Sequence, residues 1–263
     1  MLNENHYATS DKYDSRVYLN AKFKTNAKSK FRWIFEHFPQ KDGAKVLELG
    51  CGTGLFWLAN RNEIPKSWSI TLSDYSEGML KKTRATLSRL NRDFTYEVVN
   101  AESIDYPAEL FDIVLANNML YHLDNRSTAI SHISRILKDD GVFIASTMGR
   151  NDMLELHQHL HAFLKTRGKG FPFREFPFSL ENGLKQLEDH FSKVTLSRYN
   201  DMLKIDQVEP IINYYLSFNG MYDNLVVLDE KDIDPFKKYL QSIIDSKKAI
   251  SVTKDSGIFI CTK

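Results

Sequence analysis

The residues best able to do chemistry stand in Glu48-Leu49-Gly50-Cys51-Gly52-Thr53-Gly54, preceded by Val46-Leu47 and followed twenty positions after the last glycine by Asp74. A short apolar strand runs into a turn where glycine tolerates positive φ and lets the backbone approach a ligand, and a helix opens at Leu55. Asp74 closes the next expected strand, over 68–73, where a carboxylate can accept both hydroxyls of a ribose. The ligand read from this pair is a nucleoside. A dinucleotide fingerprint would place its third glycine where Leu55 stands, and a phosphate loop would need Lys-Ser or Lys-Thr where Leu55-Phe56 stands. Glu48, at the mouth of the loop, would repel a pyrophosphate and attract an ammonium or sulfonium group. The expected ligand is a nucleoside carrying positive charge.

The elements that must position these groups alternate. A lead-in helix is expected over 26–38 through Phe31, Ile34, Phe35 and Phe38, and the helix from Leu55 stops near 60–62 ahead of Pro65. Ser76 can cap a helix through Asn91 whose apolar face is Met79, Leu80, Thr83, Leu87 and Leu90. Residues 94–99 alternate as a strand, and Ile113 to Ala116 are continuously apolar, as in a strand buried on both faces. Asn125 can cap a helix carrying Ile130, Ile133 and Leu137, and Asp139-Asp140-Gly141 reads as a turn into a strand over 142–147. Strands alternating with helices imply right-handed crossovers and a parallel doubly wound sheet, with ligands at the carboxyl ends of its strands. That topology gathers Glu48, Asp74, Asn100, Glu102, Asn117 and His122 around one crevice.

Val46-Leu47-Glu48-Leu49-Gly50-Cys51-Gly52-Thr53-Gly54 with Asp74 resembles the first motif and the ribose acid of class I S-adenosylmethionine-dependent methyltransferases. Asn100-Ala101-Glu102, Phe111 to Asn117, and Leu137-Lys138-Asp139-Asp140-Gly141 follow in that family's order, so the resemblance covers about residues 30 to 150. It implies a Rossmann-like sheet, mostly parallel with an antiparallel edge strand, and helical cap insertions. It also implies that Glu48 holds the methionine amino group, directly or through water, and that Gly50, Cys51 and Gly52 bring the backbone to the methionine portion. Asp74 would take the ribose, Tyr75 and Met79 would pack near ribose and adenine, and Ala101 with Asn100 or Glu102 would meet the adenine edge. Asn117 would contact the methionine portion through its backbone. The family often closes its site with an N-terminal helix, which puts Tyr13 and Arg16 over the cofactor. His122 is the candidate catalytic residue, an acid-base or substrate-orienting group.

Three parts follow from this: an N-terminal lid segment over 1–25, a cofactor-binding core over 26–150, and a C-terminal part over 151–263 that completes the sheet and forms a substrate cap. In the last part a helix over 152–165 leads to an aromatic and proline loop from Phe171 to Phe178. A helix over 179–190 and a strand over 193–199 come next. Helices over 208–218 and 232–245 precede two strands, 250–253 and 257–262, parted by Asp255-Ser256-Gly257. Phe171, Phe173, Phe176, Phe178, Tyr199, Tyr214, Tyr215, Phe218 and Tyr222 are for the most part expected to be core, with some available to line an acceptor pocket. His157 and His161 share a helical face without the glutamate of a zinc motif, so no metal is expected.

Composition sets limits. The 263 residues carry 35 Lys and Arg against 34 Asp and Glu, so no global field attracts nucleic acid or an anionic membrane. Cys51 and Cys261 fit no metal or disulfide spacing, residues 1–10 lack a secretory pattern, and no apolar run would span a bilayer. The expected setting is the cytoplasm and the expected acceptor a small molecule, methylated on oxygen or nitrogen. The rival readings are an RNA methyltransferase using Lys22, Lys24, Lys28, Lys30 and Arg32, and a noncatalytic S-adenosylmethionine-binding protein.

Overall fold

A computed structural model describes residues 11–170, 176–221 and 225–263. Tyr7, the segment Phe171-Pro172-Phe173-Arg174-Glu175 and Tyr222 lie outside the described residues. The chain divides into two compact units, one gathering Lys28–Gly149, Phe176–Tyr199 and Ser256–Lys263, the other drawn from Met1–Ala27, Arg150–Glu175 and Asn200–Asp255.

The first unit is built on a sheet. β1 (Lys45–Leu49), β2 (Ser69–Asp74), β3 (Thr95–Val98), β4 (Phe111–Asn117), β5 (Leu137–Met148), β6 (Lys193–Ile205) and β7 (Ile250–Thr262) lie in the order β3-β2-β1-β4-β5-β7-β6. The pairs from β3 across to β5 are parallel and β7 runs antiparallel to β5. Alternation at the period of two sorts the strands onto two cores. Leu47, Leu49, Val114, Ala116, Phe143 and Ala145 face one way with α5 (Arg126–Ile136) and α7 (Gly183–Glu188). Val46, Ile70, Leu72, Ile113, Leu115 and Ile144 face the other way with α2 (Lys30–Phe35), α3 (Leu55–Ala59) and α4 (Glu77–Leu87). Helices on both faces make the sheet doubly wound, Rossmann-like, with an antiparallel strand beyond β5, as expected.

Two turns read from the sequence are absorbed into strands. β5 begins at Leu137, which pairs with Phe111, while Val142 pairs with Ile113; Lys138 to Gly141 therefore bulge opposite Asp112. Leu137, expected as the end of a helix, caps α5 in extended conformation and starts the strand. β7 runs unbroken through Asp255-Ser256-Gly257. A Cβ at Gly257 would lie 2.5 Å from the Ser197 carbonyl oxygen, so this glycine serves a close approach of β6 rather than a turn. The lead-in helix is also shorter than expected, because Ser29 accepts from the Arg32 amide and caps α2 there.

The second unit has its own core. α1 (Asp11–Phe23), α6 (Leu154–Lys165), α8 (Val208–Leu216) and α9 (Glu230–Lys247) bury Leu19, Leu156, Leu160, Tyr215, Phe236 and Leu240 together. Among the described residues no helix is long and apolar enough to cross a membrane.

Candidate functional site

β1 ends at Leu49, and Gly50, Gly52 and Gly54 all take positive φ, at 71°, 58° and 75°, as the chain turns into α3. Gly50 is the most constrained, since a Cβ there would stand 2.9 Å from the Cβ of Met119. The loop is held from two sides. The Asp74 carboxylate accepts from the Gly52 amide through Oδ2 and from the Ser76 amide through Oδ1, each at 2.9 Å. From α4, the Thr83 hydroxyl donates to the Gly52 carbonyl at 2.6 Å. Cys51 is buried, with its amide on the Ser73 carbonyl and its sulfur 3.7 Å from the Thr83 hydroxyl. Burial raises the Cys51 thiol well above its usual range, with Glu48 and Asp74 adding to the shift, so it stays a neutral packing group.

Glu48 departs from the sequence reading. It is expected as a charge at the mouth of the loop; it is 1% exposed and its Oε2 accepts from the Trp57 indole N–H at 2.5 Å. Burial raises its pKa to about 8, opposed by the Trp57 hydrogen bond and reinforced by the nearby Asp74. Such an acid is protonated in neutral solution until a cation offsets the cost of its ionisation. The Asp74 carboxyl is raised as well, by burial first, against the pull of the amides that bind it.

Tyr75, just past Asp74, is 62% exposed, whereas Met79 is buried on α4 at 3% and belongs to the helix core as much as to any ligand. Beyond β3, Asn100 Oδ1 accepts from the Glu102 amide and Glu102 Oε1 accepts from the Asn125 amide, both at 2.9 Å. Both acceptor groups assigned to an adenine amino group are thus already engaged in shaping the turn, while Ala101 is buried between them. At the end of β4, Asn117 Oδ1 accepts from the Ser146 hydroxyl at 2.5 Å. His122 lies in a short 3-10 turn over Leu120–His122, half-buried, its ring 4.4 Å from that of Tyr121.

Tyr13 and Arg16 lie on α1, in the other unit. Arg16 donates from Nη1 to the Ser217 carbonyl and hydroxyl, both at 3.2 Å, and its guanidinium covers the Phe218 ring at 5.3 Å. His157 is half-buried beside Tyr215 and is pushed down to about 4 by burial. His159 pairs with the Tyr239 hydroxyl at 3.3 Å and His161 is exposed. Among the described residues no group of three His, Cys, Asp or Glu could hold a metal ion. Phe178, Tyr199, Tyr214 and Tyr215 are buried core rings.

Sequence reasoning missed Trp57, Thr83 as a loop anchor and Ser146. Thr83 was assigned only to an apolar face, although a threonine there can also donate. No local signal marks Trp57, which meets Glu48 only because α3 folds back over the end of β1.

Residues 47–145 match a family described as methyltransferase domain. The matched stretch is a methyltransferase domain. A malonyl-[acyl-carrier protein] O-methyltransferase of Ilyobacter polytropus is 26% identical over 185 residues, 66% of this chain and 68% of that protein. A ubiquinone biosynthesis O-methyltransferase of Thiobacillus denitrificans is 32% identical over 126 residues, 46% of this chain and 51% of that one. The chain spans 42 to 68% of the length of the first three curated relatives it matches. A solved phosphoethanolamine N-methyltransferase of Haemonchus contortus, in complex with S-adenosylhomocysteine, superposes with a TM-score of 0.54. It is 17% identical, covering 89% of this chain and 52% of that one. At that identity the likeness is one of fold.

S-adenosylmethionine is the cofactor of this family, and the residues present suit it. Two acids converge on a loop bent by positive-φ glycines, and neither motif nor charge provides for a phosphate. The Thr53 hydroxyl oxygen, in the same loop, is buried with no hydrogen-bond partner in the described structure.

Proposed function

We propose that the protein transfers a methyl group from S-adenosylmethionine to an oxygen or nitrogen of a small-molecule acceptor in the cytoplasm. The observation that carries the reading is the pair of acids, buried Glu48 and half-buried Asp74, on either side of the positive-φ glycine loop. The bound cofactor supplies an electrophilic methyl on a sulfonium, which an acceptor takes by in-line displacement. The chain's own residues then bind, orient and exclude water. Glu48 would receive the ammonium of the methionine portion, releasing its own proton to solvent as the ligand binds. Asp74, already bonded by loop amides, offers the remaining acceptor capacity of its carboxylate to the ribose hydroxyls. Tyr75 offers an exposed ring to the ribose and adenine, and the backbones of Gly50, Gly52 and Asn117 approach the methionine portion. The Asn100 and Glu102 oxygens keep spare acceptor capacity for the adenine amino group, beside the Ala101 backbone. His122 takes the acceptor's proton or orients the acceptor.

The two curated relatives described above are O-methyltransferases by name, one for a carrier-bound malonyl group and one in ubiquinone biosynthesis, which supports oxygen as the acceptor atom. RNA is not favoured, because the basic stretch is engaged within the chain. Lys28 pairs with Glu36 and Arg32 with Glu63, Lys30 reaches Asn118, Lys22 bonds Gln207, and Lys24 bonds the carbonyls of Asn26 and Ala27.

The test is incubation of the protein with methyl-labelled S-adenosylmethionine and a fractionated cell extract. Label in the metabolite fraction is the expected result; label only in RNA or only in protein rejects the acceptor class, and no turnover with intact cofactor binding returns the noncatalytic reading.

A further inference from the structure

Trp57 is fully buried, and its ring is walled by Phe35, Phe38, Phe56 and Phe94 at centroid distances of 5.3 to 6.5 Å. These neighbours leave the indole one place to stand, with its N–H on Glu48 Oε2. Among the described residues no donor reaches the other oxygen, Oε1. A carboxylate clamped at one oxygen by a neutral donor keeps the opposite oxygen and its full charge for a cation. We propose that Trp57 is a positioning residue for the cofactor: by holding Glu48 Oε2 it sets Oε1 to accept from the ligand's cationic amino group. This role rests on the methyl-donor reading above and names a residue the loop motif does not contain.

The indole acts on charge as well as on direction. A hydrogen bond to the ionised form favours that form, and it opposes the burial and the Asp74 charge that hold the Glu48 carboxyl protonated. The titratable groups set against Glu48 are Asp74 at the end of β2 and the Cys51 thiol in the loop. β4 contributes Leu115 beside it in register, and α3 contributes the indole. Phenylalanine at position 57 would keep the ring packing and lose only the donor.

Two measurements decide the matter. In the ligand-free protein, the indole N–H resonance of Trp57, assigned by its loss in Trp57→Phe, is followed against pH in the wild type and in Glu48→Gln. Affinity for S-adenosylmethionine, and for S-adenosylhomocysteine, which keeps the amino group and lacks the sulfonium, is measured by calorimetry across the same pH range. The wild-type resonance is expected to titrate and the Glu48→Gln resonance to stay flat. Wild-type affinity for both ligands should tighten as pH rises toward about 8 and gain nothing further above it. Trp57→Phe should bind about tenfold more weakly near pH 7, with its tightening displaced to higher pH, as expected for losing a hydrogen bond to a charged group. In a Glu48→Gln background the same substitution should change affinity less than about twofold. An unmoved pH profile in Trp57→Phe, an equal loss in the Glu48→Gln background, or a wild-type resonance that does not titrate overturns the role. Absence of any binding by the wild-type protein overturns the methyl-donor reading and this role with it, whereas binding without the displaced profile overturns this role alone.

Discussion

The amide of Gly52 donates to Asp74 Oδ2 at 2.9 Å, so the glycine loop and the ribose acid, 22 residues apart, form one hydrogen-bonded unit. Asp74 thus shapes the loop and offers acceptors to the ligand through the same carboxylate. Asp74→Ala should remove both contributions and weaken S-adenosylmethionine binding at least about tenfold, as for loss of a charged hydrogen-bonding partner. Asp74→Asn keeps an acceptor for one amide and should fall between the two. Calorimetry on the purified variants checks the order, and wild-type affinity in Asp74→Ala would show that the ribose binds elsewhere.

Gly50 tests the loop's backbone. At a φ of 71° an L-residue carries about 1–2 kcal/mol of strain, and the added Cβ would meet that of Met119 at 2.9 Å. Because that contact is close to the Met119 backbone, it cannot be relieved by rotating a flexible side-chain end. Gly50→Ala should lower the denaturation midpoint and weaken cofactor binding together, read by urea titration and calorimetry. Gly50→Ala with Met119→Gly should recover part of the loss, since it removes the Cβ that the new methyl meets.

Much of this site was legible in the chain because its signals are local. Ser76 and Asn125 cap α4 and α5 as their types and spacing predict, accepting from Met79 and Thr128 amides. The apolar run of β4 likewise announces burial on both faces. What escaped the sequence depends on partners far along the chain. The Lys138 to Gly141 segment reads as a turn and becomes a bulge because β4 pairs on both sides of it. Asp255-Ser256-Gly257 also reads as a turn, and the glycine instead admits the backbone of β6. Glu48 reads as a charge at the mouth of the loop, and only the return of α3 over β1 shows its partner to be the Trp57 indole.

That covering predicts an unusual pH dependence of stability. The Glu48 carboxyl is raised to about 8, against an ordinary value of about 4.3, chiefly by burial. Between those values the native state holds a proton that the unfolded chain releases, so this group's contribution is full below about pH 4 and is lost as pH rises through about 8. Glu48→Gln is neutral throughout and can still accept from the indole. Its melting temperature, compared with that of the wild type, should gain a few degrees at pH 9 relative to the difference at pH 5. No change between the two pH values would mean that the buried acid is not protonated. In the same variant, affinity for the cationic cofactor should fall.

Asp112 behaves in the opposite sense at the other end of the sheet. Its side chain is buried opposite the β5 bulge and accepts from the Lys45 amide at 2.9 Å and from the ammonium groups of Lys138 and Lys41 at 2.9 and 2.7 Å. Burial opposes ionisation, but the hydrogen bonds from Lys41, Lys45 and Lys138 prevail and lower the pKa to about 2. The contribution, about 2 kcal/mol, is present above about pH 4 and lost as pH falls through about 2. Wild-type stability should therefore drop between pH 4 and 2 by more than that of Asp112→Asn, while at pH 7 the variant is the less stable. Denaturant titrations at the three pH values would show it, and parallel curves for the two proteins would contradict it.

His122 separates chemistry from binding. If its imidazole takes the acceptor's proton, His122→Ala should lower turnover about 100-fold while leaving the affinity for S-adenosylmethionine within about twofold, because a positioned base acts on the acceptor and not on the donor. The group sits in a tight 3-10 turn beside Tyr121, whose ring also meets Phe176 at 5.3 Å, so the alanine variant removes packing as well. His122→Gln keeps bulk and a hydrogen-bonding tip without a titrating base. Loss of turnover in both variants, with cofactor affinity kept, assigns proton transfer to His122. Near-normal turnover in His122→Gln with loss only in His122→Ala assigns it to holding the turn.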